Sequence, residues 1–139
     1  MKIALIACCK SKAEQRCSAK DLYISPLFKG SYAFAKKLGA DKIFILSAKH
    51  FLVSEDEELE PYNTTLNNMK SEDIREWAEE VKRGLREKTD VEHDEFIILA
   101  GEKYRKYIVD ILKHKTVPLQ GKGIGKQLSY LKKTIEVNG

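Results

Sequence analysis

Ile3-Ala4-Leu5-Ile6-Ala7, running into Cys8-Cys9-Lys10-Ser11-Lys12, is the stretch on which the fold turns. Five consecutive apolar residues without alternation mark a strand covered on both faces, and the abrupt change to thiols, hydroxyl and cations marks where it leaves the sheet. The same plan recurs. Ile43-Phe44-Ile45-Leu46-Ser47-Ala48 and Phe96-Ile97-Ile98-Leu99-Ala100 are again buried runs that end in polar segments, and Thr116 to Leu119 is a shorter fourth strand with Pro118 at its end.

Helical periods fill the intervals. Ile74, Trp77, Ala78, Val81 and Leu85 repeat at 3.6-residue spacing across 71 to 87, behind Ser71 as a cap and with Gly84 weakening the last turn. Tyr104, Tyr107, Ile108, Ile111 and Leu112 share one side of a helix over 102 to 114, and Leu128, Leu131 and Ile135 do so over 126 to 135. A helix over 29 to 38, between Pro26 and Gly39, completes the first crossover. Strand alternating with helix predicts an α/β fold: a three-layer, Rossmann-like sandwich around a mostly parallel four-stranded sheet, with all strand carboxyl ends at one edge. Segments 11 to 25 and 53 to 70 are long loops, long enough to be functional.

At 139 residues the chain is one domain, large enough to bury a core without disulfides or a structural metal. Hydrophobic residues make up 42% and charged residues 33%, so the chain belongs with globular rather than disordered proteins. No apolar run approaches the roughly 20 residues that span a bilayer, which predicts a cytoplasmic protein without a membrane partner. Cys8, Cys9 and Cys17 fit reduced thiols, and with His50, His93 and His114 they supply no zinc-ligand spacing, so no metal or cofactor is expected. The net charge of +4 mildly favours an anionic partner.

The candidate chemistry lies in the loops that leave the strands. Cys9, flanked by Lys10 and Lys12, is either a nucleophilic thiolate or a thiol packed against the sheet. Ser47 and Lys49 alternate with Ala48 and His50 across the pleat, and His50 is the best general acid or base in the chain unless it only makes a structural hydrogen bond. In Glu60-Pro61-Tyr62-Asn63-Thr64 the aromatic ring and the amide suit a planar heterocycle, or Tyr62 plugs the loop. Gly101 and Glu102 open a helix whose amino end favours an anion, and Glu102, like His50, is a catalytic candidate to activate water or stabilise a departing base, or else only a partner for the helix dipole. Gly121-Lys122-Gly123-Ile124-Gly125-Lys126 lets the backbone wrap a phosphate, although it lacks the spacing of a nucleotide-hydrolysing phosphate loop.

Cys9 to Lys12, Leu22 to Phe28, Leu46 to Val53, Pro61-Tyr62 and Gly123 to Leu128 together resemble a family of small uncharacterised bacterial, archaeal and phage domains. More distantly the chain is similar to the uracil-DNA-glycosylase-like domain of archaeosine synthases and to the YaaA peroxide-stress proteins. It carries neither the Gly-Gln-Asp-Pro-Tyr nor the His-Pro-Ser-Pro segment of true uracil-DNA glycosylases. The resemblance implies a uracil-DNA-glycosylase-like fold and a nucleotide- or nucleobase-processing protein, acting at the N-glycosidic bond of a modified nucleotide or nucleic acid. The alternative is a binding module for nucleotide or nucleic acid that performs no chemistry.

Overall fold

The computed structural model of the protein describes residues 1–122 and 124–137. Its centre is the opening stretch of the chain. Strand β1 (Lys2–Ala7) pairs in parallel with β3 (Lys42–Ser47) on one side and β6 (Glu95–Leu99) on the other, with Leu5 level with Phe44 and Ile98. Being covered by strands on both edges and helices on both faces, Ile3, Ala4, Leu5 and Ile6 are all buried, as an unbroken apolar run requires.

The sheet is mixed and has five strands, in the order β4-β3-β1-β6-β7, which corrects the expected four. The additional strand, β4 (Phe51–Ser54), pairs antiparallel with β3, Ser47 facing Phe51. A connection as short as residues 48 to 50 can only reverse the chain, so the apolar Phe51-Leu52-Val53 returns along the edge of β3 instead of opening a loop. Strand β7 (His114–Thr116) lies earlier than the expected 116 to 119, because Pro118 has no N–H to give to a ladder. The long loops are tied to each other. β2 (Cys17–Ser18) and β5 (Glu58–Leu59) form a two-stranded antiparallel ribbon, and the short helix α1 (Ala19–Leu22) starts with its Ala19 N–H on Glu57 O at 2.8 Å.

Helix α2 (Pro26–Lys37) begins with Pro26 behind a Ser25 cap, whose hydroxyl accepts from Phe28 N–H. Helix α3 (Ser71–Lys88) buries the five periodic residues expected of it, but Lys70 rather than Ser71 occupies the cap position. Gly84 serves packing: a Cβ there would meet Leu52 Cβ at 3.2 Å, so its absence brings α3 close against β4. The helix expected over 102 to 114 is not continuous. α4 (Glu102–Arg105) is one turn, and a 3-10 turn follows at Val109–Ile111. Ile108 and Leu112 remain buried four residues apart, so the burial period survives where helical hydrogen bonding does not. Helix α5 (Ile124–Val137) closes the fold against α2, where Gly30 admits Leu131.

Helices α2 and α5 pack together, as do α3 and α4. Right-handed crossovers place these pairs on opposite faces, because the chain passes from β1 to β3 in one direction and then from β3 back across β1 to β6. The direction of crossing therefore reverses between β1 and β6, the position where α/β sheets open a crevice at their carboxyl edge. Among the described residues no helix is long and apolar enough to cross a membrane.

Candidate functional site

The segment leaving β1 is folded onto itself. Cys8 N–H still joins the ladder, on Leu46 O at 3.0 Å. Beyond it the Cys9 thiol donates to Ser11 O at 3.1 Å, and the Lys12 ammonium donates to Cys9 O at 2.7 Å and Lys10 O at 3.4 Å. Ala13 N–H on Leu22 O and Ile24 N–H on Ser11 O fasten this turn to the segment before α2. These bonds fix the side chains of Cys9 and Lys12 and the backbone at Lys10.

A cleft of about 360 Å³ opens above that turn, within the size range of small-molecule sites. One wall is Cys8, Cys9, Lys10 and Lys12; the facing wall is Asn63, Thr64, Thr65, Asn67 and Asn68; Tyr104 closes one end. Buried Leu66 anchors the facing wall, and the Thr65 hydroxyl accepts from Asn67 N–H at 3.2 Å, which holds the amide residues in a 3-10 turn at Leu66–Asn68. Tyr104 is fixed from both sides: its Oη lies 3.4 Å from Cys8 Sγ, and its ring packs edge-on against Trp77 at 5.6 Å between centroids. Burial, reinforced by the neighbouring Cys8 thiol, raises the Tyr104 phenol well above its ordinary range, so it stands as a protonated donor at neutral pH.

Beneath the cleft lies a chain of three hydroxyls. Tyr62 Oη is 2.7 Å from Ser47 Oγ and 2.6 Å from Tyr23 Oη, all three residues being buried. Ser47 Oγ already accepts from His50 N–H at 2.9 Å and Lys49 N–H at 3.3 Å, which fills its two lone pairs. Its own proton therefore goes to Tyr62, and that of Tyr62 to Tyr23. Burial pushes the Tyr23 phenol up to about 12, and it raises Tyr62 further, with Cys8 and Tyr23 adding to the effect. The Lys12 ammonium sits 4.4 Å from the Tyr62 ring centroid, a cation–π contact that holds the charge at the cleft floor. Tyr62 thus fills the structural alternative, a buried support under Lys12, and offers no open face for a base to stack upon.

Of the residues singled out from sequence, Cys9, Lys10, Lys12 and Asn63 converge on the cleft. Ser47 and Tyr62 lie below it. Lys49 and His50 stand exposed in the turn between β3 and β4, away from the cleft wall, with the His50 ring edge-on to Tyr62 at 5.3 Å. Partial burial against that ring, and then Lys49, hold the imidazole below 6.5, with Glu57 opposing. Glu102 is exposed at the start of α4, whose single turn has almost no dipole to offer an anion.

The glycine loop is self-contained. Gly121 adopts a positive φ of 79°, Lys122 Nζ reaches Pro118 O at 3.4 Å and lies 4.9 Å from the Tyr130 ring centroid, and Gln127 Nε2 donates to Lys122 O at 2.7 Å. Gly125 and Lys126 are exposed in the first turn of α5, and Gly123 lies outside the described residues. Leu119 and Gln127, which flank the loop, instead line a smaller recess of about 80 Å³, together with Cys8, Cys9 and Gly101. Cys8 and Cys9 form the partition between the two spaces.

Sequence reasoning passed over Tyr104, Thr64, Thr65, Asn67 and Asn68 as site residues. The signal was present in the adjacent pair of amides, Asn67-Asn68, directly after the apolar Leu66 in a long loop.

A relative in Bacillus subtilis (strain 168), the uncharacterized protein YfjM, is 33% identical over 123 residues, covering 85% of this chain and 80% of its own. No solved structure matches. A family model covers residues 3–133, from the first strand into α5, and the chain belongs to that family, the family of unknown function DUF6884.

Proposed function

We propose that the cleft binds a nucleobase or nucleotide and that the protein processes it at the N-glycosidic bond. The observation that carries this reading is the meeting of two lysines, three asparagines and two cysteines around one cleft at the β1/β6 crossing reversal. A carboxamide offers a donor and an acceptor in one plane, the pattern that the edge of a heterocyclic base complements. Lysines supply the charge that a phosphate needs. The resemblance to uracil-DNA-glycosylase-like and YaaA-like domains points the same way, as an analogy of fold.

In this scheme Cys9 is the nucleophile. Its thiolate forms a bond to the anomeric carbon while the carbon–nitrogen bond breaks, and the base leaves with the electron pair and takes a proton from Tyr104; water then attacks the same carbon, which releases the sugar, frees the Cys9 thiolate and returns a proton to the Tyr104 phenolate. A second reading, binding without chemistry, is favoured by one feature: among the described residues no carboxylate or imidazole lines the cleft.

Calorimetric titration with a panel of nucleosides and nucleoside 5′-monophosphates tests the binding. Lys10→Ala and Asn63→Ala, both at exposed positions, are each expected to weaken the best ligand by about tenfold, the equivalent of one lost polar contact. Absence of binding across the panel at millimolar concentration would refute the proposal. Chromatography of the bound ligand for released base separates the two readings: Cys9→Ser abolishes release and keeps binding if the protein is an enzyme, whereas a binding module releases no base at all.

A further inference from the structure

We propose that the small recess beside the cleft is a phosphoryl subsite, in which Ser25, Ser31, Arg105, Gln127 and the first-turn amide of Leu27 are the donors. Ser31 carries the argument. It is only 2% exposed, it lines the recess, and its hydroxyl has no hydrogen-bond partner among the described residues. A serine inside a helix ordinarily bonds back to the carbonyl four residues earlier, here Leu27, or to water. No side-chain polar atom among the described residues is both fully buried and without a partner, so the Ser31 hydroxyl is open to the recess, where a polar group that comes and goes can take it.

The second observation is the amino end of α2, a twelve-residue helix. Pro26 has no N–H, Phe28 N–H is taken by Ser25 Oγ at 3.1 Å, and Lys29 N–H is taken by Ser25 O at 3.0 Å. Leu27 N–H is therefore the first-turn amide without a partner among the described residues, and it belongs to a residue on the recess wall.

The third is charge. Arg105 spends one N–H on Ala100 O at 2.9 Å, has no carboxylate partner among the described residues, and keeps its other guanidinium donors beside the recess. Among the described residues no Asp or Glu lines the recess. Dipole and guanidinium favour an acceptor of negative charge, to which the open hydroxyl can donate, and the volume suits a phosphoryl group while excluding a nucleoside.

The recess meets the larger cleft across Cys8 and Cys9, so one phosphorylated ligand can reach both. That extension alone rests on the nucleotide reading above, with the base among the asparagines and the phosphate against α2. Lys122, whose ammonium donates to Pro118 O, is not among the donors of this subsite.

Inorganic phosphate is the probe, titrated into the protein while backbone amide and arginine side-chain NMR signals are followed. Leu27 and Arg105 are expected to shift in saturable fashion. Ser31→Ala, which favours the helix and leaves the recess open, should weaken phosphate about fivefold, and Arg105→Ala by more than about tenfold with partial recovery in Arg105→Lys. If Arg105→Ala fails to fold, Ser31→Ala decides. Phosphate affinity untouched by Ser31→Ala, or shifts confined to Lys10 and Lys12, would overturn the subsite. A phosphate-free nucleoside titrated in parallel keeps the two proposals apart. Nucleoside bound without phosphate binding removes the subsite alone, and phosphate bound at Leu27 without any nucleoside or nucleotide binding removes the nucleotide reading alone.

Discussion

Trp77→Ala is expected to lower the unfolding free energy by about 3–5 kcal/mol, the range for truncating a large aromatic in a packed core. Trp77 is 4% exposed and joins three elements at the carboxyl edge of the sheet. Its ring meets Tyr104 edge-on, its indole N–H donates to Ser47 O at 2.8 Å, and it lies on the buried stripe of α3. Alanine removes the ring and also leaves a buried carbonyl without its donor, so a transfer loss and an unsatisfied acceptor add. Trp77→Phe isolates the second part and should cost roughly 1–3 kcal/mol. Trp77 is the single tryptophan of the chain, so urea unfolding has to be followed by far-ultraviolet circular dichroism. A loss below about 1 kcal/mol for the alanine variant would contradict this packing.

Tyr62→Phe is expected to destabilise the fold by about 1–3 kcal/mol although it removes a single atom. That oxygen is the middle of the buried chain, bonded to both Ser47 and Tyr23, and with it gone the Ser47 proton and the Tyr23 oxygen lose their partner together. Tyr23→Phe removes an end of the chain, breaks one bond, and should cost less. The order matters more than either value. Equal losses, or a larger loss at Tyr23, would show that the hydroxyls do not run from Ser47 through Tyr62 to Tyr23. The double variant should be less destabilised than the sum of the singles, because the Tyr23–Tyr62 bond can be lost only once.

What could be read in the sequence follows from which interactions are local. β1, β3 and β6 were plain because a strand buried on both faces writes an unbroken apolar run whatever its neighbours are. The stripe of α3 was equally plain, since 3.6-residue spacing needs no partner to be seen. β4 was not, because Phe51-Leu52-Val53 is too short to announce a strand and acquires that role only by returning along β3. The region after Gly101 kept its burial period and lost its helix, since Ile108 and Leu112 are buried by tertiary packing that a 3-10 turn satisfies as well as an α-helix.

The candidate site was legible in part for the same reason. Cys9, Lys10 and Lys12 follow directly from where β1 ends, and Asn63 follows from a polar loop. Tyr62 looked like a stacking platform, because nothing in Pro61-Tyr62-Asn63 reveals that Tyr23 and Ser47 wait to receive its hydroxyl. His50 looked catalytic for its chemistry alone, while its position was decided by the β3–β4 hairpin. The unbonded hydroxyl of Ser31 could not be foreseen at all, since it is defined by partners that the fold fails to supply.

Amide chemical shifts recorded while a nucleoside 5′-monophosphate is titrated into the protein test the central claim most directly. The account predicts saturable changes at Cys9, Lys10, Asn63, Asn67 and Tyr104, with Lys49, His50 and Lys126 unmoved. Changes centred on His50 or Lys126, or none anywhere at millimolar ligand, would contradict it.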